Sequence, residues 1–202
     1  MENLKKELTD AVHFLYQKGY APATSSNYSF RVSEADSDFY ISESGVDKAI
    51  FAPEHLIHVT ADGAPIADTR RTSAETLLHC LIYKNAPKAK CILHTHSIYN
   101  TILSKKYKNA VNIKDYELLK AIENITTHEA NFTIPIFANS QNMIALSADI
   151  DTYWQTKQPT MQAFLLSAHG LYTWAESIAA AKRQIEAIEF LLECEYKLPI
   201  LA

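Results

Sequence analysis

The sequence predicts a layered α/β or α+β domain on three observations: helical stripes open and close the chain, short apolar or alternating runs gather between them, and single helical segments interrupt those runs. Strand order is left open by the sequence. Helical periodicity begins at once, with Leu4, Leu8, Ala11 and Leu15 on one stripe and Gly19 set to end the helix. Residues 21–29 are rich in Ser, Thr, Asn and Ala. Residues 29–32 and 39–42 alternate polar with apolar as a β-pair does, with 33–38 as their turn. Ser44-Gly45-Val46-Asp47-Lys48 reads as a polar loop, and 55–60 and 64–67 as short strands around a turn at Asp62-Gly63. A second helix is expected over 72–83. Residues 90–96 read as a buried strand, after which Ser97 caps a helix to about residue 105. A helix over 117–125 and strands at 134–138 and 163–168 follow. The chain closes on a helix from Ser177 with the stripe Ile178, Ala181, Ile185, Ile188 and Leu192.

At 202 residues, 48% hydrophobic and 21% charged, the chain is expected to form one domain, 1–202, around a sizeable core. A net charge of -4 without a cluster of Lys and Arg speaks against nucleic acid and anionic membrane as partners. No apolar run approaches the roughly 20 residues that span a bilayer, and the amphipathic N-terminus does not read as a signal peptide. A cytoplasmic protein is expected. Cys80, Cys91 and Cys194 are widely spaced in apolar company, as buried thiols of a reducing compartment are, so neither a disulfide nor a cysteine metal site is expected.

Chemistry concentrates at histidine. His94 and His96 end the apolar strand, and positions two apart project from one face. His169 follows a second apolar run, and Gly170 behind it permits close backbone approach. Three histidines leave one coordination position open, as catalytic zinc sites do. Taken alone, His-x-His reads equally well as a pair of core histidines. Ser25, Ser26 and Asn27, then Ser44 and Gly45, then Ser73 offer hydroxyl, amide and backbone donors for an anion, and Lys48 offers a charge. Each is also an ordinary turn former. Two carboxylates compete for acid-base work: Glu75, which also fits a capping box with Thr72, and Glu117, which also fits the first turn of a helix. Tyr172 and Trp174 suit either the core or the apolar end of a site. His13, His55, His58, His79 and His128 read as structural or surface residues, and residues 105–108 as a solvated loop.

His94-Thr95-His96-Ser97, the run from His169 to Trp174, and the loop from Ser42 to Lys48 together resemble the class II aldolase and adducin family. Matching segments run over residues 23–192, most like the family's dehydratases of a methylthio-sugar phosphate. The resemblance implies a central, largely antiparallel sheet flanked by helices, one zinc ion per subunit on His94, His96 and His169, and a sugar-phosphate substrate. It implies a homotetramer with active sites at subunit interfaces. The loops of Asn27, Ser44, Gly45 and Ser73 would hold the phosphate. The matching Glu in the family's aldolases makes Glu75 an acid-base candidate, and the dehydratases make Glu117 the first-ranked general base. Ser26 and Ala175 stand where the family usually has Gly. The competing activity within the family is an aldolase or epimerase of another pentulose phosphate. An adducin-like interaction protein is disfavoured because all three histidines are present.

Overall fold

The computed structural model describes residues 1–200, so the last two positions of the expected 1–202 domain lie outside the described residues. In chain order the elements are α1 (Glu2–Gln17), β1 (Tyr28–Phe30), β2 (Phe39–Ser42), β3 (Leu56–Val59), α2 (Thr76–Asn85), β4 (Cys91–Thr95), α3 (Ile98–Lys106), β5 (Ala110–Ile113), β6 (Phe132–Phe137), α4 (Met143–Thr156), β7 (Ala163–Leu166), β8 (Gly170–Ala175) and α5 (Ile178–Lys197). The strands form one eight-stranded sheet in the order β3-β2-β1-β4-β8-β7-β6-β5. Neighbours are antiparallel except β6 and β7. The expected α/β layering with a largely antiparallel sheet is borne out.

Alternation along the central strands divides the core. Leu93 and Leu171 face α1, α3 and α5 beside Leu8, Leu15 and Ile188, whereas Ile92 and Tyr172 face α2 and α4 beside Leu78, Ile150 and Trp154. Both faces are covered, so β4 and β8 are buried throughout. Ser97 caps α3 by accepting from the Asn100 N–H, and Ser177 caps α5 by accepting from the Ala180 N–H. Gly19 takes the left-handed conformation after α1, at φ 78°.

Several expected elements differ. Residues 64–67 form no strand; one bridge between Val59 and Pro65 replaces it. The second helix starts at Thr76, because Thr72 bridges to Glu43 and stays extended. The segment after residue 116 is a short 3-10 helix, Glu117–Ala121. Lys105 and Lys106 end α3 instead of forming a loop. Of the cysteines only Cys91 is buried, and Cys80 and Cys194 are partly exposed. Among the described residues no helix is long and apolar enough to cross a membrane.

One buried polar group ties α5 to the centre of the sheet. Glu189, fully buried, accepts from Thr95 Oγ1 at 2.5 Å, Ser97 Oγ at 2.5 Å and Asn100 Nδ2 at 2.8 Å. Thr95 points to this face because its neighbours His94 and His96 point to the other. Burial raises the Glu189 pKa, and the three donors oppose that shift. Replacing it with Leu strands three buried donors, each costing roughly 1–3 kcal/mol. Glu189→Leu is therefore expected to lower the unfolding free energy in urea by at least about 3 kcal/mol, and Glu189→Gln, which keeps an acceptor, by less than half of that.

Candidate active site

His94 and His96 emerge together from the end of β4 on the α2 and α4 side, as their spacing predicts. His169 sits in the turn between β7 and β8. The three rings meet, with centroids 4.5 Å apart for His94 and His96, 5.1 Å for His94 and His169, and 4.7 Å for His96 and His169. One nitrogen from each lies within 4.8 Å of the others.

The surroundings set the tautomers. His94 Nδ1 is 2.9 Å from the Leu171 carbonyl, which only accepts, so Nδ1 carries the proton and the Nε2 lone pair faces the cluster. Tyr172 stacks on the same ring at 3.9 Å. His169 Nδ1 stands 3.2 Å from Asn139 Oδ1, and His96 Nε2 stands 2.8 Å from His94 Nε2. Burial, with the neighbouring imidazoles, holds the His94 pKa well below its ordinary value and brings that of His96 down to about 2. Neutral imidazoles are the form that binds metal. Glu75 closes the group, its Oε1 at 3.1 Å from His169 Nε2 and its Oε2 at 3.5 Å from His94 Nε2. Lone pairs and a carboxylate converging on one point fit a divalent cation.

Glu75 does not form the expected capping box. It occupies the N-cap position of α2 without a side-chain cap bond, and its carboxylate turns into the site. There Oε2 accepts from Asn27 Nδ2 and from the Tyr172 hydroxyl, each at 2.6 Å.

Above the histidines opens a cleft of about 230 Å³. Ser25, Ser26, Asn27, Ser44, Gly45 and Ser73 line it with Glu75, His96 and His169, so the three donor loops and the histidines are brought together. Among the described residues no Lys or Arg lines it. Thr24, Glu43, Ala74, Gln141 and Met143 complete the wall; Glu43 is bound to Arg70 at 3.2 Å. Ser26 is left-handed, at φ 72°, a conformation that favours Gly, the residue that the resemblance leads one to expect there. Gly45 is left-handed too, at φ 79°.

Three sequence candidates lie elsewhere. Lys48 is buried beside the cleft and not on its wall, donating to the Val46 carbonyl at 2.8 Å and the Thr24 carbonyl at 3.3 Å. Burial pushes its pKa down to about 8 against the pull of Asp47. Glu117 is exposed, paired with Lys120 and 3.8 Å from His128, and does not line the cleft. Trp174 stacks on Trp154 at 4.7 Å and borders a different hollow, so of the two aromatics only Tyr172 reaches the site. His79, expected to be a structural or surface residue, is fully buried and holds Asn27 from behind, with Nε2 at 2.6 Å from Asn27 Oδ1. Its position four residues after Glu75, one turn along α2, was the available signal.

Gly170 is required by close approach. A Cβ there would lie 2.3 Å from the Thr95 carbonyl oxygen and 2.7 Å from His94 Cε1. Gly170→Ala must push β8 from β4 at the histidines, costing about 1–3 kcal/mol as an overpacked contact. Cobalt titration followed by visible absorption is expected to show weakened metal uptake in this variant, while Ala175→Gly, at the far end of the same ladder, binds as wild type does.

Residues 6–196 match the class II aldolase and adducin N-terminal domain. A methylthioribulose-1-phosphate dehydratase of Xylella fastidiosa (strain M12) is 44% identical over 184 residues, covering 90% of this chain and 83% of that protein. A protein of the same name from Picosynechococcus sp. is 43% identical over 195 residues, covering 95% and 90%. The crystal structure of L-fuculose-1-phosphate aldolase from Thermus thermophilus has the same fold, with a TM-score of 0.78 at 20% identity, covering 100% of this chain and 98% of that one. The chain belongs to the class II aldolase and adducin family.

Proposed function

We propose that this chain is a lyase that removes water from 5-methylthioribulose 1-phosphate in methionine salvage, giving 2,3-diketo-5-methylthiopentyl 1-phosphate. The observation that carries the chemistry is a three-histidine cluster, with His94 buried behind it, that presents His96 and His169 beside Glu75 to a cleft lined by hydroxyl and amide donors. The substrate follows from relatives at 43–44% identity over nine-tenths of the chain that bear the dehydratase name.

His94, His96 and His169 would hold one zinc ion, a borderline-soft cation suited to three neutral imidazoles with an open position. When bound, it supplies Lewis-acid polarisation of the C2 carbonyl, which acidifies the C3 proton. Asn27, Ser44, Gly45 and Ser73 orient the phosphate through neutral donors, and Ser26 shapes that loop. Lys48 ties the loops of Thr24 and Val46 together from below. The base takes the proton from C3, and the acid so formed gives it to the departing C4 hydroxyl; the resulting enol tautomerises to the diketone.

Two carboxylates compete for that proton. Glu117 is the first choice, on the resemblance carried by Tyr116-Glu117-Leu118-Leu119-Lys120, and its exposed position suits it to reach the cleft of a neighbouring chain in a cytoplasmic homotetramer. Glu75 is the second. Its seat against the histidines favours the competing reading, an aldolase or epimerase of another sugar phosphate.

The decisive experiment supplies zinc-loaded protein with 5-methylthioribulose 1-phosphate and identifies the products. A single diketo phosphate is expected; two carbon fragments would establish the aldolase instead. Glu117→Gln should lower kcat by at least ~100-fold with zinc retained. Mixing Glu117→Gln chains with His96→Ala chains, which should lose zinc, is expected to restore activity through hybrid sites. Near-normal Glu117→Gln beside inactive, metallated Glu75→Gln would move the base to Glu75. For the phosphate loops, Ser44→Ala and Ser73→Ala should raise KM with little change in melting temperature. Unchanged KM and kcat in both would remove phosphate from this cleft.

A further inference from the structure

A line of buried polar groups runs from Glu75 away from the cleft into the core. Asn27 presents Nδ2 to Glu75 at 2.6 Å and Oδ1 to His79 Nε2 at 2.6 Å. His79 Nδ1 is 2.7 Å from Ser29 Oγ, which is 2.9 Å from the Tyr83 hydroxyl. Asn27, Ser29, His79 and Tyr83 are all buried. The chemistry of each group sets the direction of the line. Turning the Asn27 amide over would press its oxygen against a carboxylate oxygen at hydrogen-bond distance, so Nδ2 faces Glu75 and the carbonyl faces His79. An amide carbonyl only accepts, so His79 Nε2 carries the proton. Nδ1 is then an acceptor, Ser29 must donate to it, and the Ser29 oxygen is free to accept from Tyr83.

Every donor therefore points toward Glu75. Asn27 Nδ2 and the Tyr172 hydroxyl both bind Oε2, and Oε1 remains on the cleft side, 3.1 Å from His169 Nε2. We infer that His79 is a positioning residue: held as the Nε2–H tautomer by Ser29, it locks the Asn27 amide so that Glu75 offers Oε1 to the reacting groups. The inference rests on reading the cleft as the active site. Burial supports it independently, pushing the His79 pKa down to about 3, so the ring stays neutral and Nδ1 stays an acceptor. Packing alone would not need this pattern, since the edge-on contact of His79 with Tyr172 at 5.9 Å would be met by a phenylalanine ring.

The test has two arms. Long-range proton–nitrogen NMR spectra of the full chain, with His79 identified by its loss in His79→Phe, should show the Nε2–H tautomer unchanged across neutral pH. In Ser29→Ala, where Nδ1 loses its donor, the Nδ1 resonance should shift. An Nδ1–H tautomer or an imidazolium would overturn the inference, whatever the reaction proves to be. In the second arm, zinc-loaded His79→Phe should lose kcat on the order of 10- to 100-fold, the scale for groups that orient a metal site's neighbours, with zinc content nearly unchanged. His79→Gln, whose amide can donate in place of Nε2–H, should recover most of that loss. Equal kcat in wild type and His79→Phe, or no recovery with Gln, would reduce His79 to packing. Absence of dehydration by the wild type, with the expected NMR tautomer, would defeat the functional reading alone.

Discussion

The pairing of β4 with β8 sets His94 opposite Tyr172 and Thr95 opposite Leu171. From that register come the hydrogen bond from His94 to the Leu171 carbonyl, the stacking of Tyr172 on the imidazole, and the arrival of His169 one residue before β8 begins. A one-residue slip would turn His94 toward α5 and expose Thr95 to the cleft. Gly170 permits the register, because no side chain fits between it and the Thr95 carbonyl. The two faces of β4 thus do different work: His94 and His96 form the site, and Thr95 anchors to Glu189 behind it.

A site of this kind needs polar groups where the core would otherwise be apolar. They are tolerated because they are connected. His79, Ser29, Asn27, Glu75 and Tyr172 hand donors to acceptors in sequence, and Glu189 satisfies three donors at once. Among the described residues only Tyr28 Oη and Ser147 Oγ are buried without a partner. The cleft itself is lined by neutral donors and carboxylates, consistent with the mild net charge of the chain.

Much of this was legible in the sequence where a period or a cap expressed it. The two-residue spacing of His94 and His96, the Ser97 and Ser177 caps and the stripe of α5 are local signals, and the structure keeps them. The strand β8 shows in the sequence only as a motif, because it is buried on both faces and has no alternation. The helix α4 buries only Leu146, Ile150 and Trp154, a sparse stripe at four-residue spacing among β-branched and polar residues. The edge strand β5 is four residues long and follows a lysine-rich stretch. Glu75 was ambiguous because Thr72-Ser73-Ala74-Glu75 also spells a helix start, and the bridge from Thr72 to Glu43 decides against that use. The contributions of His79 and Glu189 depend on partners 52 and 94 residues away, which no local pattern encodes.

The distance along the chain between β4 and β8 also bears on how the protein folds. Cys91 pairs with Ala175 across an intervening chain of more than eighty residues, so the two central strands close one of the longest loops in the fold. Closure of such a loop is entropically costly and slow compared with the formation of α5 or the hairpin of β1 and β2. His94 and His96 become neighbours as soon as β4 is extended, but His169 joins them only when that loop closes. While that loop is open the native cluster lacks its third histidine, so the complete site forms only once β8 has docked on β4.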